Sequence, residues 1–399
     1  MPIYGKQHFF MLACWPAVFN KTLFRGLAPA GSRIRMKSLA AISAARARVE
    51  PRMGRRHSNP WSRMSFPTTK ARSMKARRIR RGRGRGYRKA ILINEHFVVY
   101  GVPAVAVPLF RPVLAAVTAR EGPGFQVLIR SKPGEEARVS SDPNLLQAVR
   151  NILATCGLSG EETLIRMECR GFLPGWSGLG SSAAFCVASA RALSQAFHLS
   201  WSDEQVNAAA YEGEKVFARN PSGIDNSVST FGRVLWYCRG QAEPWQFLSP
   251  GAPFWFVIAN TGIPSLTRDQ IEKVARFRET HPSRFQELCR QASDLALRVR
   301  SGLETGMPAD LGRWMDQGHH MLCEIGASSH EVEGLVEHCR SRGALGAKLT
   351  GAGGGGCVIA LVRSPAQGRN LTQSLRDLGY GAFCVRVGGD PLRVPARSL

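Results

Sequence analysis

The sequence lacks the cysteine spacing of a structural metal site. Its ten cysteines stand singly, without a C-x-x-C pair, in apolar contexts such as Phe185-Cys186-Val187 and Gly356-Cys357-Val358. Structural zinc sites need paired ligands at short spacing, so we predict no zinc site. Reduced, buried thiols are typical of a cytoplasmic protein, and this is the location that we expect.

Long apolar runs are also missing. No stretch approaches the roughly 18 to 20 consecutive apolar residues that a membrane-spanning helix needs. The sequence therefore predicts a soluble protein without a membrane partner. Hydrophobic residues still occupy 44% of the 399 positions, which is enough for two domains with substantial cores.

Two common nucleotide-binding signatures are absent. There is no G-x-x-x-x-G-K-[ST], and neither the catalytic loop nor the metal-binding triplet of protein kinases occurs. A G-x-G-x-x-G is present at Gly351, Gly353 and Gly356, but we predict a strand after it. A dinucleotide fingerprint lies between a strand and a helix, so a nucleotide would be bound here by another route.

Acidic residues are almost missing from the first 88 positions. This segment has 22 lysines and arginines against one acid, Glu50, a net charge of +21 out of the +25 of the whole chain. The other 311 residues carry a net charge of +4, as in an ordinary globular protein. We predict that residues 1–84 form a basic, disordered leader, because the like charges of residues 75–85 repel one another.

Three interpretations of this leader stay open. Its arginine-rich, acid-poor composition is typical of an organelle transit peptide. Its Arg-Gly run is suited to RNA or another polyanion, so polyanion binding is an alternative function of a different class. Translation from an internal methionine, Met64 or Met74, would remove most of the segment.

A glycine- and serine-rich loop is the most informative feature that is present. Residues 175–184 contain three glycines and three serines and lead into an alanine-rich run that predicts a helix. The first N–H groups of a helix have no intrahelical partner, so such a helix start is suited to an anion. A serine N-cap with a flexible lead-in is the alternative.

Periodicity predicts alternating helices and strands after the leader. The predicted strands are 89–101, 104–107, 113–117, 125–129, 163–169, 228–238, 254–260, 358–362 and 382–387. The predicted helices are 144–156, the run after residue 184, 203–217, most of 265–342, and 367–378. The helix at 203 opens with the N-cap pattern Ser202-x-x-Gln205, and Pro221 with Gly223 predicts a turn that places Asp225 on a loop.

Phosphoryl transfer to an alcohol needs a phosphate cradle, a hard-oxygen Mg²⁺ site, a proton acceptor and a cation. Residues 178–182 are the candidate cradle, and Ser182 with Glu214 can ligate Mg²⁺. Asp225 is the candidate proton acceptor. Lys89 is the candidate cation that pairs with Asp225 and keeps it ionised.

Four segments in this order, 89–101, 174–184, 214–226 and 348–357, resemble the successive motifs of the galactokinase, homoserine kinase, mevalonate kinase and phosphomevalonate kinase superfamily. Within it they most resemble the mevalonate kinases. The resemblance covers about residues 86–390 and implies an α+β fold of two domains with the active site in the cleft between them. We place an N-terminal ATP-binding domain at 85–245, a C-terminal α/β domain at 246–391 and a tail at 392–399.

The resemblance also implies roles for individual residues. Asp225 matches the catalytic aspartate and Lys89 the lysine beside it, while Ser182 and Glu214 match the Mg²⁺ ligands. The implied cofactor-binding residues are Pro174, Gly178, Leu179, Gly180, Ser181 and Ser182. The implied substrate-binding residues are Glu95, His96, Thr261, Gly351 and Ala352.

The implied reaction is the ATP-dependent phosphorylation of mevalonate to 5-phosphomevalonate in isoprenoid biosynthesis, with ATP and Mg²⁺ as cofactors. Phosphomevalonate kinase or another small-molecule kinase of the superfamily is the alternative, and a homodimer is left open. Two positions depart from the family pattern, which has glycine where this chain has Arg88 and Asn94. Asparagine tolerates positive φ, so the turn at Asn94 can survive, whereas Arg88 could alter phosphate affinity.

Overall fold

A computed structural model describes residues 79–130, 136–158, 163–171, 178–218, 221–241 and 243–389 of the chain. The strands are β1 (Arg80–Ile93), β2 (Ala104–Glu121), β3 (Phe125–Arg130), β4 (Arg138–Val139), β5 (Thr163–Arg170), β6 (Val234–Tyr237), β7 (Trp245–Leu248), β8 (Phe254–Asn260), β9 (Gly346–Thr350), β10 (Cys357–Val362) and β11 (Gly381–Val387). The helices are α1 (Pro143–Thr155), α2 (Ser181–Ala196), α3 (Asp203–Glu214), α4 (Ile224–Phe231), α5 (Thr267–Thr280), α6 (Pro282–Thr305), α7 (Pro308–Glu324), α8 (His330–Ser341) and α9 (Pro365–Asp377). A short 3-10 helix spans Phe97–Tyr100.

Two sheets organise this part of the chain. In the first, the strands follow the order β4-β3-β5-β2-β6-β7, and β1 pairs antiparallel with β2 along its whole length. In the second, the order is β11-β8-β10-β9, with every pair antiparallel. The predicted α+β fold is confirmed.

Buried side chains form a core on each sheet. Residues of β2, β3 and β5 pack against α1, α2 and α3, since their inward-facing positions alternate along each strand. A second core joins β8 to β11 with α5 to α9 and extends to Ala90 and Leu92 of β1. The strand that carries Lys89 is therefore packed against both halves of the fold.

The Arg-Gly run of the sequence is the first half of β1. A Cβ atom on Gly82, Gly84 or Gly86 would lie 2.0 to 2.1 Å from a carbonyl oxygen of α2, on Ala192, Ala188 and Ala184 in turn. Every second residue of a strand advances by about 6.6 Å and every fourth residue of a helix by about 6 Å, so the two rows match. The glycines let the helix backbone lie directly on the strand, and the arginines between them face solvent.

Two predicted boundaries differ from this arrangement. The leader was predicted to extend to residue 84, but β1 begins at Arg80, because its glycines gain a packing partner that local sequence does not reveal. The predicted division at residue 245/246 falls inside β7, which pairs with β6 of the first sheet. The rest of the predicted leader and the predicted tail lie outside the described residues.

The segment around Asp225 also differs from its prediction. Residues 224–231 are helix α4, so Asp225 lies in the first turn of a helix and the strand predicted from 228 begins only at Val234. Helix α3 ends at Glu214, three residues earlier than predicted, but its predicted N-cap is confirmed by a complete capping box between Ser202 and Gln205. None of the helices in the described ranges combines the length and apolarity needed to cross a membrane.

Candidate active site

A cleft of about 510 Å³ lies where the two glycine-rich loops meet. Residues from β1, the 3-10 helix, the start of α2, the end of α3, α4 and α5 contribute to its walls. The lining residues include Lys89, Glu95, His96, Gly178, Gly180, Ser181, Ser182, Glu214, Asp225, Gly351 and Ala352. These residues are separated by up to 263 positions in the sequence, and the fold brings them to one place.

The predicted phosphate cradle is a helix start. Helix α2 begins at Ser181, and Gly180 occupies its N-cap in the left-handed region with φ of 63°. A glycine is needed there, because a Cβ atom would also lie 2.9 Å from Lys89 Cγ and 3.4 Å from Asp225 Oδ2. The Ser181 hydroxyl is buried and has no hydrogen-bond partner. This end of α2 therefore offers unpaired donors and the positive end of a helix dipole to an anion.

Lys89 and Asp225 form an ion pair beside that helix start. Their Nζ and Oδ1 atoms are 3.3 Å apart, and the side chains are 5% and 35% exposed. The Lys89 ammonium also donates to Gly178 O at 3.2 Å, and its backbone N–H donates to Leu179 O at 3.0 Å. Strand β1 thus fixes the glycine loop while it places a cation between the loop and the carboxylate of Asp225.

Glu214 ends α3 and is buried next to the same pair. Burial raises the pKa of Glu214 to about 8, and the negative charge of Asp225 adds to this effect, while hydrogen bonding from Ser182 opposes it. Two carboxylates and serine hydroxyls around one point are the hard oxygen donors that Mg²⁺ prefers. A buried carboxylate with so strong a proton affinity is a group that a bound cation would stabilise, so the residues present fit the predicted metal.

An amide network fixes the distance between the helices that carry the two carboxylates. Asn226 Nδ2 of α4 donates to Asn207 Oδ1 of α3 at 2.7 Å, and Thr230 Oγ1 donates to the same oxygen at 3.2 Å. All three residues are buried. Because Asn207 and Glu214 lie on one helix and Asn226 follows Asp225 on the other, this network holds Glu214 and Asp225 together.

The second glycine loop forms the opposite wall. It joins the antiparallel strands β9 and β10, which agrees with the prediction that it is not a dinucleotide fingerprint. Gly351 packs on the backbone of the first loop, where a Cβ atom would lie 2.6 Å from Gly178 Cα. Thr350 bonds through its hydroxyl to both the N–H and the C=O of Ile91. The two loops are therefore held in direct contact.

The turn at residues 94–96 presents polar groups to the cleft. Asn94 has φ of 72°, so the predicted left-handed turn is present, and its amide donates to Pro103 O and Ala292 O at 2.6 and 2.9 Å. His96 Nε2 lies 2.7 Å from Ala352 O, and burial lowers the pKa of His96. His96 is therefore neutral near pH 7 and donates from Nε2 to the second loop.

The other family departure, Arg88, does not face the phosphate cradle. Its buried guanidinium donates to Arg111 O at 2.7 Å and to Gly171 O. Neighbouring residues of a strand point to opposite faces, so the charge of Arg88 lies away from that of Lys89. The expectation that Arg88 acts on phosphate affinity is replaced by a structural role, which is to tie β1 to β2 and to the end of β5.

Among the described residues, two predicted site residues, Thr261 and Leu179, have no side chain in the cleft. Pro174 lies outside the described residues. Thr261 does not line the cleft. Its hydroxyl donates to Gly356 O at 3.0 Å and so stabilises the end of the second glycine loop. The side chain of Leu179 is fully buried in the core, so only its backbone belongs to the cradle.

An apolar wall and one charged residue of the site were not predicted from the sequence. Val99, Phe217 and Ile271 line the cleft and are 36 to 51% exposed, which is unusual for large apolar side chains. Their exposure depends on the tertiary structure and has no local signal. Lys348, by contrast, is a charged residue in an otherwise apolar buried strand of the second sheet, and this local signal could have found it.

Comparison with known proteins agrees with this geometry. Residues 144–233 match the GHMP kinases N terminal domain, and residues 299–381 match the GHMP kinases C terminal family. A mevalonate kinase of Aeropyrum pernix is 34% identical over 317 residues, which cover 77% of this chain and 96% of that protein.

Solved structures show the same likeness. The crystal structure of L. major mevalonate kinase in complex with R-mevalonate aligns with a TM-score of 0.71 and 29% identity, over 77% of this chain and 96% of that one. A Streptococcus pneumoniae phosphomevalonate kinase, at 16% identity and a TM-score of 0.59 over 76% of this chain and 99% of that one, shares the fold. The chain belongs to the mevalonate kinase family of the GHMP kinases.

Proposed function

We propose that this kinase transfers the γ-phosphoryl group of ATP to the terminal hydroxyl of mevalonate and so forms 5-phosphomevalonate. One observation carries the proposal. The Lys89–Asp225 ion pair lies directly beside the N-terminus of α2, so a proton acceptor, a cation and an anion site share one cleft. The relatives that cover most of the chain are named mevalonate kinases and support the choice of acceptor.

Each residue of the pair has a distinct task in this reaction. Asp225 accepts a hydrogen bond from the acceptor hydroxyl, orients it towards the phosphate and takes its proton as the bond to phosphorus forms. Lys89 pairs with Asp225 and stabilises charge that develops on the transferred group. The first N–H groups of α2 and the Ser181 hydroxyl bind phosphate oxygens.

The metal belongs to the same proposal. Ser182 and Glu214 would hold Mg²⁺, with Asp225 close by. When bound, Mg²⁺ neutralises charge on the phosphates. The apolar side chains Val99, Phe217 and Ile271 limit the access of water to the acceptor.

A substrate panel tests the acceptor. The full chain is assayed for ADP release with ATP and Mg²⁺ and with mevalonate, phosphomevalonate, galactose or homoserine. We expect turnover with mevalonate. Turnover with one of the other alcohols but none with mevalonate would overturn the proposed substrate and leave the family unchanged.

The variant Asp225→Asn tests the mechanism. The amide keeps the shape of the side chain but cannot accept a proton, so kcat should fall by about 10² to 10⁴-fold while the Kd for ATP changes little. Asp203→Asn, at the exposed start of α3, is the matched control and should keep most of the activity. An Asp225→Asn enzyme with normal kcat would remove Asp225 from the reaction.

A further inference from the structure

A buried ion pair joins the wall of the cleft at Glu95 to strand β9 of the second sheet. Lys348 of β9 and Glu95, after β1, have side chains that are 0% and 1% exposed, and Lys348 Nζ contacts Glu95 Oε1. Lys348 also donates to Leu349 O at 2.6 Å. Taking two charges out of water costs several kcal/mol per ion, so such a pair adds little to stability compared with apolar residues. Such a pair therefore points to a task other than stability.

The geometry of Glu95 indicates what that task is. Glu95 lines the cleft, and while Oε1 contacts Lys348, Oε2 is buried and has no hydrogen-bond partner. A buried acceptor without a donor is costly, and a hydroxyl group of a bound ligand would supply the donor. The preceding residue, Asn94, is held through its side-chain amide, so the carboxylate is fixed from both sides.

We propose that Lys348 is a positioning residue, which holds Glu95 through Oε1 and so presents Oε2 to a hydroxyl group of the acceptor substrate. The side chain of Lys348 is fully buried and does not line the cleft. The inference rests on the proposed function, because it concerns binding of the alcohol. It assigns a role to a residue 253 positions away from the carboxylate that it controls.

Lys348 is the cation that balances the charge of Glu95, because the two histidines next to the pair are neutral. His96, next to Glu95, is neutral near pH 7 and donates to Ala352 O. His319 of α7 lies behind Lys348 and is also neutral, because burial lowers its pKa to about 4. Burial lowers the pKa of Lys348, and the adjacent carboxylate opposes this shift. Without the ammonium group, the buried Glu95 carboxylate would have no cation to hold its Oε1 atom.

The variant Lys348→Met tests the role, since it keeps the length of the side chain and removes the charge. KM for mevalonate, KM for ATP and kcat are measured with the full chain between pH 6 and 9. We expect KM for mevalonate to rise at least tenfold throughout this range with little change in kcat, because Glu95 Oε2 is no longer held towards the hydroxyl group of the acceptor. KM for ATP should stay within twofold of the wild-type value.

Two controls separate positioning from folding. Leu349→Ala, a neighbouring buried position, lowers stability by leaving a cavity but should leave KM for mevalonate unchanged. If Lys348→Met does not fold, Lys348→Met combined with Glu95→Gln removes both charges and should show a raised KM for mevalonate at an unchanged KM for ATP.

The outcomes are distinct. A Lys348→Met enzyme, or the double variant in its place, whose KM for mevalonate stays within twofold of wild type across the pH range would overturn the inference. Failure of the wild-type enzyme to phosphorylate mevalonate would instead overturn the proposed function, and the two failures cannot be confused.

Discussion

Thr350→Val is the substitution that best tests how the strand before the second glycine loop is held to β1. The Thr350 hydroxyl accepts from Ile91 N at 3.0 Å and donates to Ile91 O at 2.9 Å. Both residues are buried, and the N–H and C=O groups of Ile91 lie on the edge of β1 that points away from β2. Valine has nearly the same shape but no hydroxyl, so it leaves a buried donor and a buried acceptor of the strand without partners.

The magnitude follows from those two groups. A buried polar group left unsatisfied costs about 1 to 3 kcal/mol, so the two groups together should lower the free energy of unfolding by about 2 to 6 kcal/mol. Unfolding entropy of about 2.1 cal/mol/K per residue, taken over roughly 310 residues, converts a loss of about 3 kcal/mol into a drop in Tm of about 5 °C.

Urea denaturation, followed by circular dichroism, gives the free energy. The midpoint should fall with the slope unchanged. Thr350→Ser, which keeps the hydroxyl, is the matched control and should recover most of the loss. A Thr350→Val protein that is as stable as the serine variant would refute the reasoning that this hydroxyl satisfies the edge of β1.

Two further predictions concern packing and pH. Gly84→Val places a Cβ atom 2.1 Å from Ala188 O and should lower the free energy of unfolding by at least about 2 to 3 kcal/mol. Arg83→Thr, at an exposed position of the same strand, is the control and should change that free energy by less than about 0.5 kcal/mol in thermal melts. The pKa of His319 is lowered from 6.5 to about 4, chiefly by burial, so between these values the unfolded chain binds a proton that the native state does not. Stability should therefore fall as pH drops from 6.5 to 4, and the urea midpoint of His319→Gln, which does not titrate there, should fall less. An identical pH profile for the variant would contradict this.

Local features were predictable because their causes are local. The capping box of α3 needs only Ser202 and Gln205, and the left-handed turn at Asn94 depends on the tolerance of asparagine for positive φ. The predicted helix of residues 144–156 and the long helical region after residue 265 follow from apolar spacing that is visible in the chain.

The Arg-Gly run shows where such reasoning stops. Alternating glycine and arginine favours a solvated, disordered segment when the chain is considered alone, because glycine adds backbone entropy and the arginines repel one another. The structure makes the same run a strand, since Gly82, Gly84 and Gly86 meet the backbone of α2. A segment that needs a partner over 90 positions away cannot be assigned from its own composition.

By itself, the sequence determined the inventory of the site: a glycine loop at a helix start, Lys89, Glu214 and Asp225, and a second glycine loop, all in the order typical of one kinase superfamily. Tertiary structure alone decided which face Arg88 occupies, that Asp225 begins a helix, and that Lys348 meets Glu95. The physical reason is distance along the chain. Chemical groups and local turns are encoded within a few residues, whereas the orientation of a buried charge depends on the partners that packing brings to it.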